Sequence, residues 1–338
     1  MMRQAIRAGI AGFRGYSGAE LVRLLQKHPC LEVVLLEHRS DSASQPLPLN
    51  ARAPLTIPCS PHAVRSEQLG VVFLATPAEV SMELAPDMLD AGAKVIDLSG
   101  AFRLGSAENF RRWYKTEHTA PGLMSTAVYG LPEMNRAQLT RASLISNPGC
   151  YPTAANLAIQ PLVEAGVIDL HAGVVCDAKS GVSGAGRKAS LTTSFCEVAE
   201  NLTVYSAFDH RHVPEVLMIS GLQDQDFTFT AQLLPIDRGI LETIYFRTRA
   251  VRDGQELLDI YERRYQGEPF VRLYPLGGFP DIRAAQRTNY CDLGVRYDPA
   301  SGRAIVVSVI DNLGKGAAGQ AIQNMNLALG CRETEGLV

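Results

Sequence analysis

Two short stretches of the chain hold the side chains with the clearest capacity for covalent and proton-transfer chemistry. The first is Asn147-Pro148-Gly149-Cys150-Tyr151-Pro152-Thr153. Pro152 suits the first helical residue, because proline presets φ and lacks the N–H that a helix start leaves unpaired, so Cys150 falls at a helix N-terminus. A free thiol of pKa about 8.5 is only a few per cent thiolate at neutral pH. Helix-terminal amides favour the anion by ~0.3–2 kcal/mol, roughly one pKa unit, so a neighbouring imidazolium or arginine has to supply the rest. The other six cysteines (Cys30, Cys59, Cys176, Cys196, Cys291 and Cys331) lack such surroundings and read as small buried side chains.

The second stretch, Asp209-His210-Arg211-His212-Val213-Pro214-Glu215, packs two histidines, an arginine and two acids into seven residues. In an extended backbone His210 and His212 face the same way, and Pro214 biases Val213 toward that conformation. One imidazole could then take and return protons while the other, or Glu215, orients it. No further Cys or His pair stands at a familiar ligand spacing, so the cluster reads as proton-transfer machinery and not as a metal site.

Groups suited to anions lie elsewhere. A strand runs into Gly9-Ile10-Ala11-Gly12-Phe13-Arg14-Gly15-Tyr16-Ser17-Gly18, and a helix opens directly after it. Gly9, Gly12, Gly15 and Gly18, with Tyr16 and Ser17 between them, would let backbone amides approach a pyrophosphate at the positive end of that helix. At the end of the second strand, Glu37-His38-Arg39-Ser40 bears on the ribose: Arg39 and Ser40 suit the 2′-phosphate of NADP, whereas Glu37 could accept the hydroxyl of NAD or simply end the strand. Lys179 to Lys188 combines hydroxyls, the Ser183-Gly184 amides and three cations including Arg187, as a phosphate loop would. Arg103 follows the fourth strand, at the sheet edge where such folds bind ligands.

The elements that must position these groups follow from periodicity. Short apolar runs at Arg7–Ala11, Leu31–Glu37, Val71–Ala75 and Val95–Leu98 alternate with amphipathic stretches beginning at Ala19 and Ala78, the pattern of parallel strands joined by crossover helices. Five prolines between Asp41 and Pro61 predict an irregular excursion there. After Gly149 longer strands are expected at Gly173–Ala178, Phe227–Leu234, Ile244–Arg249 and Ala304–Ile310, with a turn at residues 298–302, so the second domain carries a mixed or antiparallel sheet. An amphipathic helix, Gly316–Leu329, closes the chain.

At 338 residues the chain is long enough for two domains, each with its own core. A net charge of -3, with 32 basic and 35 acidic residues, gives no basic track for nucleic acid. No apolar run approaches the ~18 residues of a membrane span, and there is no signal-peptide pattern. Seven dispersed cysteines do not form a disulfide framework, so reduced cytosol is the expected compartment.

Seven stretches, GFRGYSGAEL, DLSGAFRL, YGLPEMN, SNPGCYPTA, SGVSGAGR, HRHVPE and GKGAAGQAIQNMN, occur in an order that resembles the N-acetyl-gamma-glutamyl-phosphate reductases, the arginine-pathway branch of the aspartate-semialdehyde dehydrogenase-like group. The resemblance implies an α/β chain: a Rossmann-like, doubly wound domain formed by residues 1–147 with 315–338, and an α+β catalytic and oligomerisation domain, 148–314, with a mixed sheet. It also implies a cytoplasmic homo-oligomer, dimer or tetramer, that acts on a small acyl phosphate without nucleic acid, membrane or metal. NADP would be held by the glycine loop, Arg39 and Ser40, with Ser183, Gly184 and Asn312 as further contacts and Asn312 near the nicotinamide. Cys150 matches the nucleophile, a histidine of HRHVPE the acid and base, and Arg103, Arg187 and Glu215 the substrate contacts. The residues independently fit attack by the thiolate on an acyl phosphate, loss of phosphate, and reduction of the thioester to an aldehyde. The related aminoadipyl-phosphate reductase of lysine biosynthesis, and a Cys-His hydrolase or acyltransferase, are the alternatives. The first should need a basic rim for an acidic carrier protein, and the second has no use for the dinucleotide loop.

Overall fold

A computed structural model of the chain describes residues 5–38 and 54–338. They divide into two compact units, Met1–Asn147 with Ala318–Val338, and Pro148–Ala317. The second unit runs three residues beyond the expected end at Gly314, because the turn after Asn312 stays with it.

The first unit is built on seven strands: β1 (Ile6–Ala11), β2 (Leu31–Glu37), β3 (Leu55–Pro58), β4 (Leu69–Leu74), β5 (Lys94–Asp97), β6 (Val128–Tyr129) and β7 (Leu144–Ser146). All are parallel, in the order β3-β2-β1-β4-β5-β7-β6. Such a sheet must be covered on both faces. On one, Ile10, Val71 and Phe73 pack with Leu21 and Leu25 of the helix Tyr16–Leu25 and with Ile322 and Met325 of the last helix, Gly319–Leu329. On the other, Val72, Leu74 and Val95 meet Val80, Leu84 and Met88 of the helix Ala78–Asp90. Each fully buried Ile or Met contributes about 1.5–3 kcal/mol, so the C-terminal helix is part of this unit's core and not an appendage. Because β2 and β4 flank β1 on opposite sides, the strand order reverses there, and a crevice at the carboxyl ends of β1 and β4 is the expected ligand position.

Two expectations are corrected in this unit. The stretch before Pro61 is not wholly irregular: β3 pairs with β2 from Val34↔Leu55 to Glu37↔Pro58, and the helix Pro61–Ser66 follows, capped by Ser60 Oγ accepting from the Ala63 amide at 3.2 Å. Pro58 is tolerated because β3 is an edge strand, where a missing N–H removes no ladder bond. The last helix starts at Gly319, after a π-helical turn over Gly314–Ala318, and its polar side chains are buried as well. Asn324 Nδ2 donates to Gly130 O at 2.8 Å and Asn147 Oδ1 at 3.0 Å, and Asn326 Nδ2 to the Glu333 and Glu335 carbonyls. Hydrogen-bonded amides can be buried without the penalty that hydropathy assigns them.

The second unit holds β8 (Val174–Gly181), β9 (Thr203–Tyr205), β10 (Phe227–Leu234), β11 (Ile240–Arg247), β12 (Val271–Leu273), β13 (Cys291–Asp298) and β14 (Arg303–Ile310) in the order β12-β13-β14-β11-β8-β10-β9. β8/β10 and β12/β13 are parallel and the other pairs antiparallel, so the sheet is mixed. The helix Cys150–Glu164 packs on this sheet, and Ser308 Oγ of β14 donates to Ala154 O at 2.9 Å. β13 carries no strand pattern in the sequence because Gly294 and Asp292 interrupt it. A Cβ at Gly294 would come within 2.4 Å of Gly278 O, and Asp292 is buried against Arg272.

Candidate active site

Cys150 is the first residue of its helix, two positions earlier than Pro152 implied, and Gly149 is the N-cap with extended dihedrals of -66° and 154°. The cap has no side chain to close it. Instead Glu215 reaches the turn from the helix Val213–Ser220, and its Oε2 accepts from the Gly149 amide at 2.9 Å. Thr153 Oγ1 donates to Gly149 O at 2.9 Å, which fixes the next peptide, the one that joins Gly149 to Cys150. Both neighbours of the thiol are places where only glycine fits. A Cβ at Gly149 would lie 2.6 Å from His212 Nε2, and one at Gly316 would lie 2.8 Å from Cys150 Cβ.

The histidines reach this turn differently from the expectation. The segment before Val213 is not extended: His212 has helical dihedrals of -88° and -14° and Val213 is already helical, Pro214 being accommodated in the first turn, where its missing N–H costs nothing. The turn nevertheless brings the rings together, with centroids 4.8 Å apart. His212 N–H donates to His210 Nδ1 at 3.2 Å, an acceptor role that leaves the His210 proton on Nε2. Burial pushes the His210 imidazole down to about 4, and the charge of Arg211 acts in the same direction against a weaker pull from Asp209. His210 is therefore neutral at neutral pH. Tyr151 packs edge-on against both rings, and its hydroxyl meets that of Tyr205 at 3.1 Å.

These side chains border a cavity of about 590 Å³, whose walls include Cys150, Ser180, Gly184, His210, Arg211 and His212. Arg211 is the one arginine or lysine on the described walls. Four expected site residues stand elsewhere in this unit. Glu215 is fully buried behind the Gly149 amide and does not line the cavity. Ser183 and Asn312 form a buried brace: Asn312 Nδ2 donates to Ser183 Oγ at 2.9 Å, Ser183 Oγ to Asp237 O at 2.6 Å, and the Gly239 amide to Asn312 Oδ1 at 2.7 Å. Arg187 is exposed and outside the lining. A second brace gave no signal in the sequence. Buried Asp311 accepts from Arg238 Nη2 at 2.9 Å and from the Leu313 and Gly314 amides at 2.8 Å, while its carbonyl takes the Gly316 amide at 2.9 Å, fixing the turn that rests on Cys150.

In the first unit the glycine loop is a tight turn. Gly12 has φ +79°, and a Cβ there would lie 2.2 Å from Ala75 O; one at Gly18 would lie 2.3 Å from Gly12 O. Gly15 caps the helix Tyr16–Leu25 without a side-chain bond, with Tyr16 and Ser17 in its first turn. A cavity of about 260 Å³ lies here, its walls including Gly12, Phe13, Arg14, Gly15, His38 and Thr76. Gly9 is not part of that loop, since it sits within β1, where a Cβ would press on Leu69 and Leu36. Arg39 and Ser40 lie outside the described residues. Arg103, expected to face a ligand, is 7% exposed; its Nε donates to Asn147 O and its Nη2 to Leu98 O, both at 2.8 Å. Among the described residues no group of three or more His, Cys, Asp or Glu could hold a metal ion, and no helix is long and apolar enough to cross a membrane.

Comparison with known proteins gives the class first. Residues 7–142 match the family model "Semialdehyde dehydrogenase, NAD binding domain" and 150–312 match "Semialdehyde dehydrogenase, dimerisation domain". Solved structures of that class share the fold: an aspartate semialdehyde dehydrogenase II from Vibrio cholerae has a TM-score of 0.73 at 20% identity, covering 97% of this chain and 99% of that one. One from Candida albicans, crystallised with NADP, has 0.68 at 18% identity, covering 96% and 98%. Full-length relatives narrow the class. N-acetyl-gamma-glutamyl-phosphate reductase of Symbiobacterium thermophilum is 47% identical, covering 98% of this chain and 97% of that protein, and the reductase of Nitrosococcus oceani is 46% identical, covering 98% of each. The chain belongs to the N-acetyl-gamma-glutamyl-phosphate reductase family.

Proposed function

We propose that the protein reduces N-acetyl-gamma-glutamyl phosphate to N-acetylglutamate 5-semialdehyde with NADPH, releasing phosphate, as a cytoplasmic homodimer or homotetramer of arginine biosynthesis. The observation that carries this reading is the seating of the His212 ring against the glycine that precedes Cys150, beside a cavity that also contains a cation.

Cys150 is the nucleophile. Its thiolate, favoured by the open amides of a helix start, attacks the acyl carbon, and the carbon–oxygen bond to phosphate breaks to leave a thioester on Sγ. NADPH, when bound, supplies the hydride that reduces this thioester. His212 then protonates the carbonyl oxygen as it gains charge, and takes that proton back as the thiohemiacetal collapses to the aldehyde and the Cys150 thiolate. His210, neutral and bonded to the His212 amide, positions that ring. Arg211 holds the phosphate or carboxylate of the substrate, a role the sequence reading gave to Arg103 or Arg187. Arg103 is better suited to bracing the ends of β5 and β7, and Glu215 to setting the Cys150 turn.

The first unit fits the cofactor: Gly12 and Gly18 make the close turn that a pyrophosphate needs, and the adjoining cavity lies at the point where strand order reverses. Gly12, Gly15, Tyr16, Ser17 and Gly18 would hold the phosphates, and Arg39 and Ser40 the ribose phosphate. Gly184 lies on the wall of the Cys150 cavity, with Ser183 and Asn312 keeping its loop in place. The test is NADPH oxidation dependent on N-acetyl-gamma-glutamyl phosphate, reversed by semialdehyde with NADP and phosphate. Folded protein inactive in both directions contradicts the proposal, as would equal turnover of an aminoadipyl phosphate or release of a free acid without NADPH.

A further inference from the structure

Glu37 ends β2 at the position where NAD-specific sheets offer a carboxylate to the ribose 2′-hydroxyl. In this protein that carboxylate is already engaged. Arg14 Nη2 donates to Glu37 Oε1 at 2.6 Å, and the guanidinium carbon lies 4.5 Å from the centre of the Phe13 ring. A carboxylate at its edge and an aromatic face beneath it fix the plane of the arginine, a geometry that lysine would not reproduce. The pair is partly exposed, at 28% and 39%, so its contribution to folding is small and its placement is the informative part. Arg14 and Phe13 border the 260 Å³ cavity beside Leu36, His38 and Thr76, and among the described residues of that wall Arg14 is the one arginine or lysine.

We propose that Arg14 sets the choice between NADP and NAD by holding Glu37. The guanidinium occupies the acceptor that a 2′-hydroxyl would need and brings a positive charge to the place where a 2′-phosphate would otherwise meet a bare carboxylate. Removing Arg14 therefore does two opposite things: it takes away an attraction for NADP and exposes an acceptor for NAD. This inference rests on the cofactor reading above and concerns residues that the sequence alone left unconnected, because 23 positions separate them.

The test is equilibrium titration of the full chain with NADP and with NAD by calorimetry, which needs no turnover. R14A should lose about 10- to 100-fold in NADP affinity, the value of a charge-assisted contact, and gain several-fold for NAD. E37Q should keep NADP affinity within about threefold, and R14A/E37Q should lose the gain for NAD while recovering part of the loss for NADP. R14K, which keeps the charge without the fixed plane, should fall between the parent and R14A. Equal losses for both dinucleotides in R14A would mark Arg14 as a support of the loop and overturn the inference, as would unchanged affinities. A parent protein that binds NADP but lacks substrate turnover leaves the inference standing while the proposed reaction fails. A parent that binds neither dinucleotide overturns both.

Discussion

The Nε2 atom of His212 stands where a side chain on Gly149 would have to be: an ideal Cβ at that residue falls 2.6 Å from it. The imidazole is thus located by contact with the backbone that begins the Cys150 helix, and a methyl group added at Gly149 would have to displace it. Gly149→Ala should lower kcat by about 10² or more, the scale of acid–base assistance, while NADP affinity stays at the parent value because the glycine loop belongs to the other unit. Overpacking of this kind costs roughly 1–3 kcal/mol of stability, so a folded variant is expected. Titration and steady-state kinetics on the same preparation decide it; a kcat within threefold of the parent would show that the ring can move at no cost.

The two histidines should separate by pH. His210 is held near 4 against an ordinary value of 6.5, so between those values the unfolded chain binds a proton that the folded protein does not. Its contribution to stability is complete above about pH 6.5 and is lost as pH falls toward 4, by an amount on the order of 3 kcal/mol. His210→Gln should flatten that part of the stability curve in denaturant titrations. In kinetics it should raise KM and lower kcat modestly but keep any limb near neutrality, whereas His212→Asn should remove about 10² to 10⁴ of kcat and the limb with it. The reverse pattern would exchange their roles.

Arg103→Ala should act on stability. The substitution strands the carbonyls of Asn147 and Leu98, at about 1–3 kcal/mol for each buried group left unpaired, and should shift the urea midpoint accordingly. Unchanged stability with a raised substrate KM would return the guanidinium to the substrate.

Arg211→Ala should raise KM for the acyl phosphate, and for phosphate in the reverse reaction, by roughly 10- to 100-fold while sparing NADP. Arg187→Ala, at an exposed position off the cavity wall, should change either by less than threefold. Equal effects would place both arginines on the substrate.

The sequence carried the class of fold and the residues around Cys150 because both rest on local signals. Parallel strands buried on two faces leave continuous apolar runs, as at Leu31–Glu37, and a proline after a Gly-Cys pair marks a helix start. What it concealed depends on partners distant in the chain. Gly294 is permitted in β13 only because Gly278 passes over it, Arg103 is engaged by a carbonyl 44 residues away, and Asp311 braces the Gly316 turn through Arg238, 73 residues away. The histidines show both sides at once. Spacing of two predicted neighbouring rings through an extended strand, whereas a turn and the bond from His212 N–H to His210 Nδ1 bring them together.

The central claim is that Cys150 carries the acyl group, and withholding phosphate tests it most directly. With N-acetylglutamate semialdehyde and NADP but no phosphate, the thioester forms and has no acceptor, so the account predicts a burst of one NADPH per active site and a protein mass raised by the acyl group, mapped to the peptide containing Cys150. Cys150→Ser should bind NADP as the parent does and give neither signal. A stoichiometric burst in Cys150→Ser, or an adduct on any other residue, would contradict the account.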